Sequence, residues 1–382
     1  HPTAPTSNIT ASLKKQPKIR VILISSVIPA AYSAGHLLLH RHLVNQPEID
    51  LQLLQTEPQT PGLRKMARRV LACLARTRFG SYAQDVMSLW RGGWIDSELA
   101  VPEDADVPTV VMTVAHGDAC YAAMRYANRH NLPLVTFFHD WWPDIAGVHR
   151  IFRRILNRSF LRLYQESSLA LCVGPGMKDE LGPHANSKVL LPIPAANNST
   201  ENRSATASKK NRPFKLLYAG SLADYGPMLI AALENLKDHP TIRLEVRGNS
   251  KDWPDAIKNE MRECGLLLPF EPRQQLDDWL NSADAFLVPQ SFEQQHSRLM
   301  QTNFPSKMLE FAQFGKPLLL WGPNYASGSR WATETGCGLV VDLEEPDYLR
   351  QAVERLSGDP DMQERLAAAA KSAAAGPFNP QR

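Results

Sequence analysis

Phe304-Pro305-Ser306-Lys307-Met308-Leu309-Glu310-Phe311-Ala312-Gln313-Phe314-Gly315-Lys316-Pro317 decides how this chain is read. Pro305 suits the first turn of a helix, where a missing N–H is no loss. The N–H groups of such a turn have no acceptor inside the helix and make an anion site. Ser306 adds a hydroxyl donor there, and Lys307 a full positive charge. Glu310 follows Ser306 by four residues, so it projects from about the same side. Gly315 and Pro317 stop the helix, and Leu318-Leu319-Leu320-Trp321 reads as a buried strand. A phosphate-binding helix tip with a carboxylate one turn deeper suits a nucleoside diphosphate. The phosphates take the tip, and the ribose hydroxyls take the carboxylate.

Outward from this segment the chain alternates strands and helices. Lys18–Ser25, Val107–Val114, Leu134–Phe138, Leu169–Val173 and Lys188–Leu191 read as strands of one parallel sheet. A helical run over Leu37–Val44 and a helix from about Asp118 to Arg129 lie between them. A second series begins at Phe214–Gly220. It continues through Ile242–Gly248, Gly265–Phe270, Ala283–Pro289, Leu318–Trp321 and Gly338–Val341. The segment 195–212, rich in Asn, Ser, Thr and Lys, reads as a linker. The expected fold is α/β, with two Rossmann-like doubly wound domains facing each other across a cleft. The expected boundaries are a lead-in at 1–17, domains at 18–194 and 213–360, and a C-terminal helix over 361–382 that returns to the first domain. In such sheets ligands bind beyond the carboxyl ends of the strands.

Composition narrows the function classes. The 382 residues are 43% hydrophobic and 21% charged, as expected of a globular protein with two cores. Apolar runs fall short of the roughly 20 residues of a membrane span. Five scattered cysteines without a CxxC pair point to a reducing cytoplasm and away from a structural zinc site. The net charge is +3, and Lys and Arg exceed Asp and Glu only in the part before Pro192. Leu63–Arg76 and Arg150–Arg162 read as cationic amphipathic helices. For the first, an anionic membrane surface and ordinary packing on the sheet stand as equal alternatives. For the second, packing is the preferred reading. Nucleic acid is disfavoured, because the basic residues lack interleaved aromatics.

The central segment resembles the donor-site helix of GT-B-type retaining glycosyltransferases, in the branch with Pro-Ser-Lys. The resemblance covers the chain from Lys18 and is most specific from Phe214 to Leu343. Tyr218-Ala219-Gly220-Ser221-Leu222 looks like the family's opening strand of the nucleotide domain, whose Gly loop passes the diphosphate. Leu268 falls where family backbone groups hold the base. His139-Asp140-Trp141-Trp142-Pro143-Asp144 looks like the family's His-Asp run at the end of a strand. The resemblance therefore implies catalytic roles for His139, Asp140 and Lys307. It implies donor contacts from Gly35, Gly220, Ser221, Arg247, Leu268, Pro305, Ser306 and Glu310. His116 and Gly117 end a strand on the acceptor side, and Gly174-Pro175-Gly176-Met177 resembles an interdomain loop.

The activity implied by the resemblance is transfer of a hexose from a nucleotide-sugar, expected to be a UDP-sugar, to a glycan or lipid-linked acceptor. Configuration would be retained by front-face displacement, in cell-surface polysaccharide or glycolipid synthesis. No metal is expected, since helix tips and Lys307 can replace it, and the location is cytoplasmic or peripheral to the inner membrane face. The alternatives are a degenerate nucleotide-binding scaffold and a nucleotide-sugar epimerase. Two departures from the family stand out. Thr302 occupies the position, eight residues before Glu310, where many members carry a Glu. The loop Ser221–Gly226 lacks the Arg and Lys that many members place there. The diphosphate charge then falls to Lys307, with Arg247 and Arg298 as further candidates.

Overall fold

The computed structural model describes residues 19–31, 34–44, 46–54, 107–194, 212–271 and 275–379, with isolated helical positions between 66 and 86. The expected lead-in, most of the linker and most of the first basic segment lie outside the described residues. By contact density the chain divides into two units, 1–136 with 148–169, and 137–147 with 170–382.

The first sheet opens with β1 (Ile19–Leu23), α1 (Ala34–Leu43) and β2 (Ile49–Leu53), a strand the sequence reading missed. It continues with β3 (Thr109–Val114), α2 (Ala119–Arg129), β4 (Leu134–Phe138), α3 (Trp142–Ile145) and α4 (Arg150–Glu166). It closes with β5 (Leu169–Cys172), α5 (Pro175–Leu181) and β6 (Ser187–Val189). The strand order is β2-β1-β3-β4-β5-β6. β1 pairs in parallel with β2 on one side and β3 on the other.

Helix α4 shows why a basic segment need not seek a membrane. Leu156, Phe160, Leu163 and Tyr164 recur at helical spacing and are buried, while its arginines stand in solvent. In the first basic segment, Met66, Arg69, Val70 and Cys73 are described, helical and exposed.

The second sheet comprises β7 (Phe214–Ala219), β8 (Ile242–Arg247), β9 (Leu267–Leu268), β10 (Ala285–Pro289), β11 (Leu318–Trp321) and β12 (Leu339–Val341). Between them run α6 (Gly226–Leu236), α7 (Asp255–Glu263), α8 (Asp277–Asn281), α9 (Ser297–Thr302), α10 (Ser306–Ala312) and α11 (Ser327–Thr335). Helices α12 (Pro346–Gly358) and α13 (Pro360–Ala375) complete the chain. The order is β12-β11-β10-β7-β8-β9, and the paired strands are parallel.

Both faces of this sheet are covered, so its strands are apolar at consecutive positions. Leu216, Tyr218, Leu244, Leu287 and Leu319 pack against α6 and α12 on one face. Leu217, Phe286, Leu318 and Leu320 pack against α10 and α13 on the other. All four side chains of β11 are fully buried, as a continuous apolar run requires. Asp284, one residue before β10, accepts two Arg212 N–H bonds at 2.6 and 3.0 Å and the Lys215 N–H at 2.9 Å. That buried carboxylate ties the first residues of β7 to β10. The tail of the chain returns to α10: Phe378 stacks on Trp331 at 4.6 Å and meets Phe304 edge-on at 6.0 Å.

Candidate functional site

Helix α10 begins one residue later than its sequence suggests. Pro305 is the extended residue before it, with φ −69° and ψ 107°, and its carbonyl accepts the Met308 N–H at 3.0 Å. A pyrrolidine locks φ near this value, so Pro305 sets the entry angle without entering the helix. Met308, Leu309, Phe311 and Ala312 are buried, leaving Ser306, Lys307 and Glu310 on the outer side. The chain leaves α10 through Gly315 at φ +57°, in the left-handed region that favours glycine. The Lys307 ammonium sits 2.7 Å from a Glu310 carboxylate oxygen. Glycine-tight turns bring other segments to this tip. A Cβ on Gly328, in the first turn of α11, would lie 2.6 Å from the Pro305 ring.

The opening strand β7 delivers its Gly loop to the same place. A Cβ on Gly220 would lie 2.6 Å from the Tyr218 hydroxyl and 3.3 Å from Cε of Lys307. The Tyr218 hydroxyl donates to the Ser221 carbonyl at 2.9 Å, which fixes the turn. Burial, with Tyr225 and Asp224 close by, pushes that phenol well above its ordinary value, so it stays a neutral donor. Lys307 thus stands beside bare backbone, where an anion can approach closely.

At the end of β4, His139 Nε2 lies 2.8 Å from one Asp140 carboxylate oxygen. The other Asp140 oxygen accepts the Asn303 amide N–H at 3.0 Å. Asn303 sits two residues before Pro305, in the loop from α9 to α10. The expected His-Asp pair is therefore physically tied to the approach of the expected donor helix. Asn303 was not singled out from the sequence, because an isolated Asn ahead of Phe-Pro carries no signal of its distant partner.

Other expected donor residues have local commitments. Arg247 binds a Glu271 oxygen at 2.7 Å and the Pro269 carbonyl at 3.3 Å, and its guanidinium lies 4.9 Å from the Trp279 ring centre. Those bonds hold the segment after Leu268, so Arg247 shapes the expected base-binding strand. Arg298, the other arginine expected to meet the phosphates, binds Asp144 at 3.0 Å and Glu180 at 3.4 Å, above the Trp141 ring. Thr302 is fully buried and donates its hydroxyl to the Arg298 carbonyl at 2.9 Å. Where many relatives were expected to carry a Glu, this chain thus has a buried hydroxyl at the last residue of α9, bonded to its own helix.

In the first unit, α1 begins at Ala34, ahead of the helical run expected from Leu37, so Gly35 lies inside the helix. His36 Nδ1 bonds the Ile28 carbonyl at 2.6 Å, fixing the loop into α1. Gly117 has φ +72°, and a Cβ there would overlap the Ser26 side chain. It is a packing glycine between the ends of β1 and β3. His116 precedes it, half-buried, with its N–H on the Val114 carbonyl at 2.7 Å.

Residues 199–373 match the family described as glycosyl transferases group 1. Over those residues the chain matches a glycosyltransferase domain. The matched residues of this group 1 domain contain Gly220, Arg247, Asn303 and the whole of α10. Three solved structures share the fold. Sucrose-phosphate synthase from Thermosynechococcus elongatus is 13% identical, with a TM-score of 0.58 over 95% of each chain. Anabaena Alr3699/HepE in complex with UDP-glucose is 15% identical, with a TM-score of 0.55 over 94% of this chain and 95% of its own. WaaG, a glycosyltransferase involved in lipopolysaccharide biosynthesis, is 13% identical, with a TM-score of 0.51 over 94% and 95%. The fold is therefore GT-B, and the family match over residues 199–373 is to glycosyltransferases. No curated protein sequence matches the chain. No described helix is long and apolar enough to cross a membrane.

Proposed function

We propose that this glycosyltransferase moves a hexose from a UDP-sugar to a glycan or lipid-linked acceptor, with retention of configuration, in cell-surface polysaccharide or glycolipid synthesis. The observation that carries the reading is the Lys307 ammonium at the tip of α10, beside the bare backbone of Gly220. Lys307, Ser306 and the first N–H groups of α10 take the diphosphate. Glu310, one turn deeper, accepts the ribose hydroxyls. Lys307 exchanges its bond to Glu310 for the phosphates and so frees the carboxylate for that role. Leu268 offers backbone groups to the base. HepE in complex with UDP-glucose supports testing that nucleotide-sugar first.

Catalysis in this reading rests on position and on charge stabilisation. The acceptor hydroxyl attacks from the side the diphosphate leaves. A leaving phosphate oxygen takes the acceptor proton, and Lys307 stabilises the negative charge that develops. His139 hydrogen-bonds the hexose, and Asp140 holds that imidazole. The helix tip and Lys307 take the part a metal would otherwise play, so we expect turnover to survive chelation by EDTA.

Calorimetric titration of UDP, GDP, ADP and TDP against wild type and Glu310→Ala tests the donor assignment. We expect UDP to bind best and the variant to lose about 10-fold or more in affinity, the scale of hydrogen bonds to a charged group. Equal binding by all four nucleotides, unchanged in the variant, would overturn it. Incubation of UDP-glucose without acceptor separates the epimerase alternative, since an epimerase converts the sugar while a transferase leaves its configuration intact. The anomeric configuration of the transfer product, read by NMR, tests retention.

A further inference from the structure

We propose that Asn303 is the positioning residue of the His139–Asp140 pair, fixing through Asp140 the tautomer and orientation of the His139 ring. The inference rests on the donor-site reading above only for its effect on catalysis; the positioning itself stands on geometry. An ionised carboxylate only accepts hydrogen bonds. Asp140 therefore receives two donors, the Asn303 amide on one oxygen at 3.0 Å and His139 Nε2 on the other at 2.8 Å. The carboxylate cannot turn without losing one of them. With Nε2 bearing the proton, the neutral ring has its acceptor at Nδ1. The His139 ring also lies against Phe137, 6.2 Å between ring centres and 23° from parallel, which limits its tilt.

Arg298 is spent on Asp144 and Glu180, and it covers Trp141, the residue after Asp140. Its ion pairs hold the same loop. Sequence position makes the amide a coupling device as well. Asn303 caps the end of α9 and stands three residues before Ser306, so a shift in the entry to α10 is transmitted to Asp140. A ligand that settles the tip of α10 thereby settles the His139 ring.

The test reads the tautomer directly. Nitrogen-15 spectra of the His139 ring, assigned by comparison with His139→Gln, should show the Nε2–H form in the wild type. Asn303→Leu removes the donor at similar size, and Asn303→Asp keeps the shape but replaces the donor with a carboxylate. In whichever variants retain a cooperative melt, the His139 signals should move toward a mixture of tautomers. Signals unchanged from wild type in a folded variant would overturn the proposal. UDP-glucose turnover is the second readout: the variants should lose about 10- to 100-fold in kcat, the scale for a hydrogen bond to a charged group, with UDP affinity changed less than 3-fold. An equal loss in UDP affinity and kcat would mean a merely structural role. UDP that fails to bind wild type, while the variants still shift the His139 signals, would sink the donor reading and leave the positioning role standing.

Discussion

Lys307 has Glu310 as its partner at 2.7 Å, and that partnership is only half-shielded from water. Such a pair contributes little to stability, at most about 1 kcal/mol. Its value lies in keeping a lysine extended beside Gly220 instead of sweeping through solvent. Gly220 is the more restrictive residue of the two. Any side chain there meets the Tyr218 hydroxyl at 2.6 Å and crowds Lys307 at 3.3 Å. Gly220→Val should therefore weaken UDP binding at least 10-fold by calorimetry while lowering stability by about 1–3 kcal/mol, the usual cost of overpacking. A variant that binds UDP like wild type would show that this loop stands away from the nucleotide.

The short helices that carry the site are held by contacts too close for any side chain. Gly176, in the first turn of α5, would place a Cβ on the Gln301 carbonyl oxygen of α9. Gly174, just before α5, would place one 2.9 Å from the Phe304 Cβ. These glycines let α5 and the approach to α10 pack backbone to backbone. Gly176→Ala should force the two helices apart and lower the melting temperature by several degrees, with UDP affinity falling in parallel. The sequence made α10 legible, because Pro, Lys, Glu and the terminating Gly-Lys-Pro each report on local backbone or local charge. It also made β11 legible, because a four-residue apolar run has few other places to go. The strand β2 was missed because Ile49-Asp50-Leu51-Gln52-Leu53 is short and half-polar, as an edge strand can be. Asn303 was missed because its meaning depends on Asp140, distant in the chain. The fates of Arg247 and Arg298 were hidden for the same reason: a free arginine and a paired one look alike in sequence.

At the scale of the whole molecule, buried ionisable groups set the pH range of stability. Burial pushes the Glu245 carboxyl up, but the Trp279 N–H, Arg243 and Lys215 together outweigh it and hold the group below the ordinary carboxylate range. An unfolded Glu titrates near about 4.3. The stabilisation is therefore fully present above that value and is lost as pH falls through the lower folded value. Thermal melts from pH 5 to pH 3 should fall more steeply for wild type than for Glu245→Gln; equal slopes would remove Glu245 from the account. At the alkaline end, burial and then Asp224 push the Tyr225 phenol up to about 12. Its contribution is present below the unfolded value of about 10 and is lost as pH rises through the folded one. Tyr225→Phe should flatten that limb.

The loop Ser221–Gly226 also bears on turnover. It holds no cation, and Arg247 and Arg298 are committed to Glu271, Asp144 and Glu180. Under the donor-site proposal a departing UDP leaves Lys307 behind, and that lysine has Glu310 to return to. On that proposal the spent nucleotide should be released easily, and accumulated UDP should inhibit with a constant no tighter than the KM for the donor. Such an enzyme keeps working as its by-product builds up, and slowing of progress curves at UDP well below that KM would contradict this account of the loop.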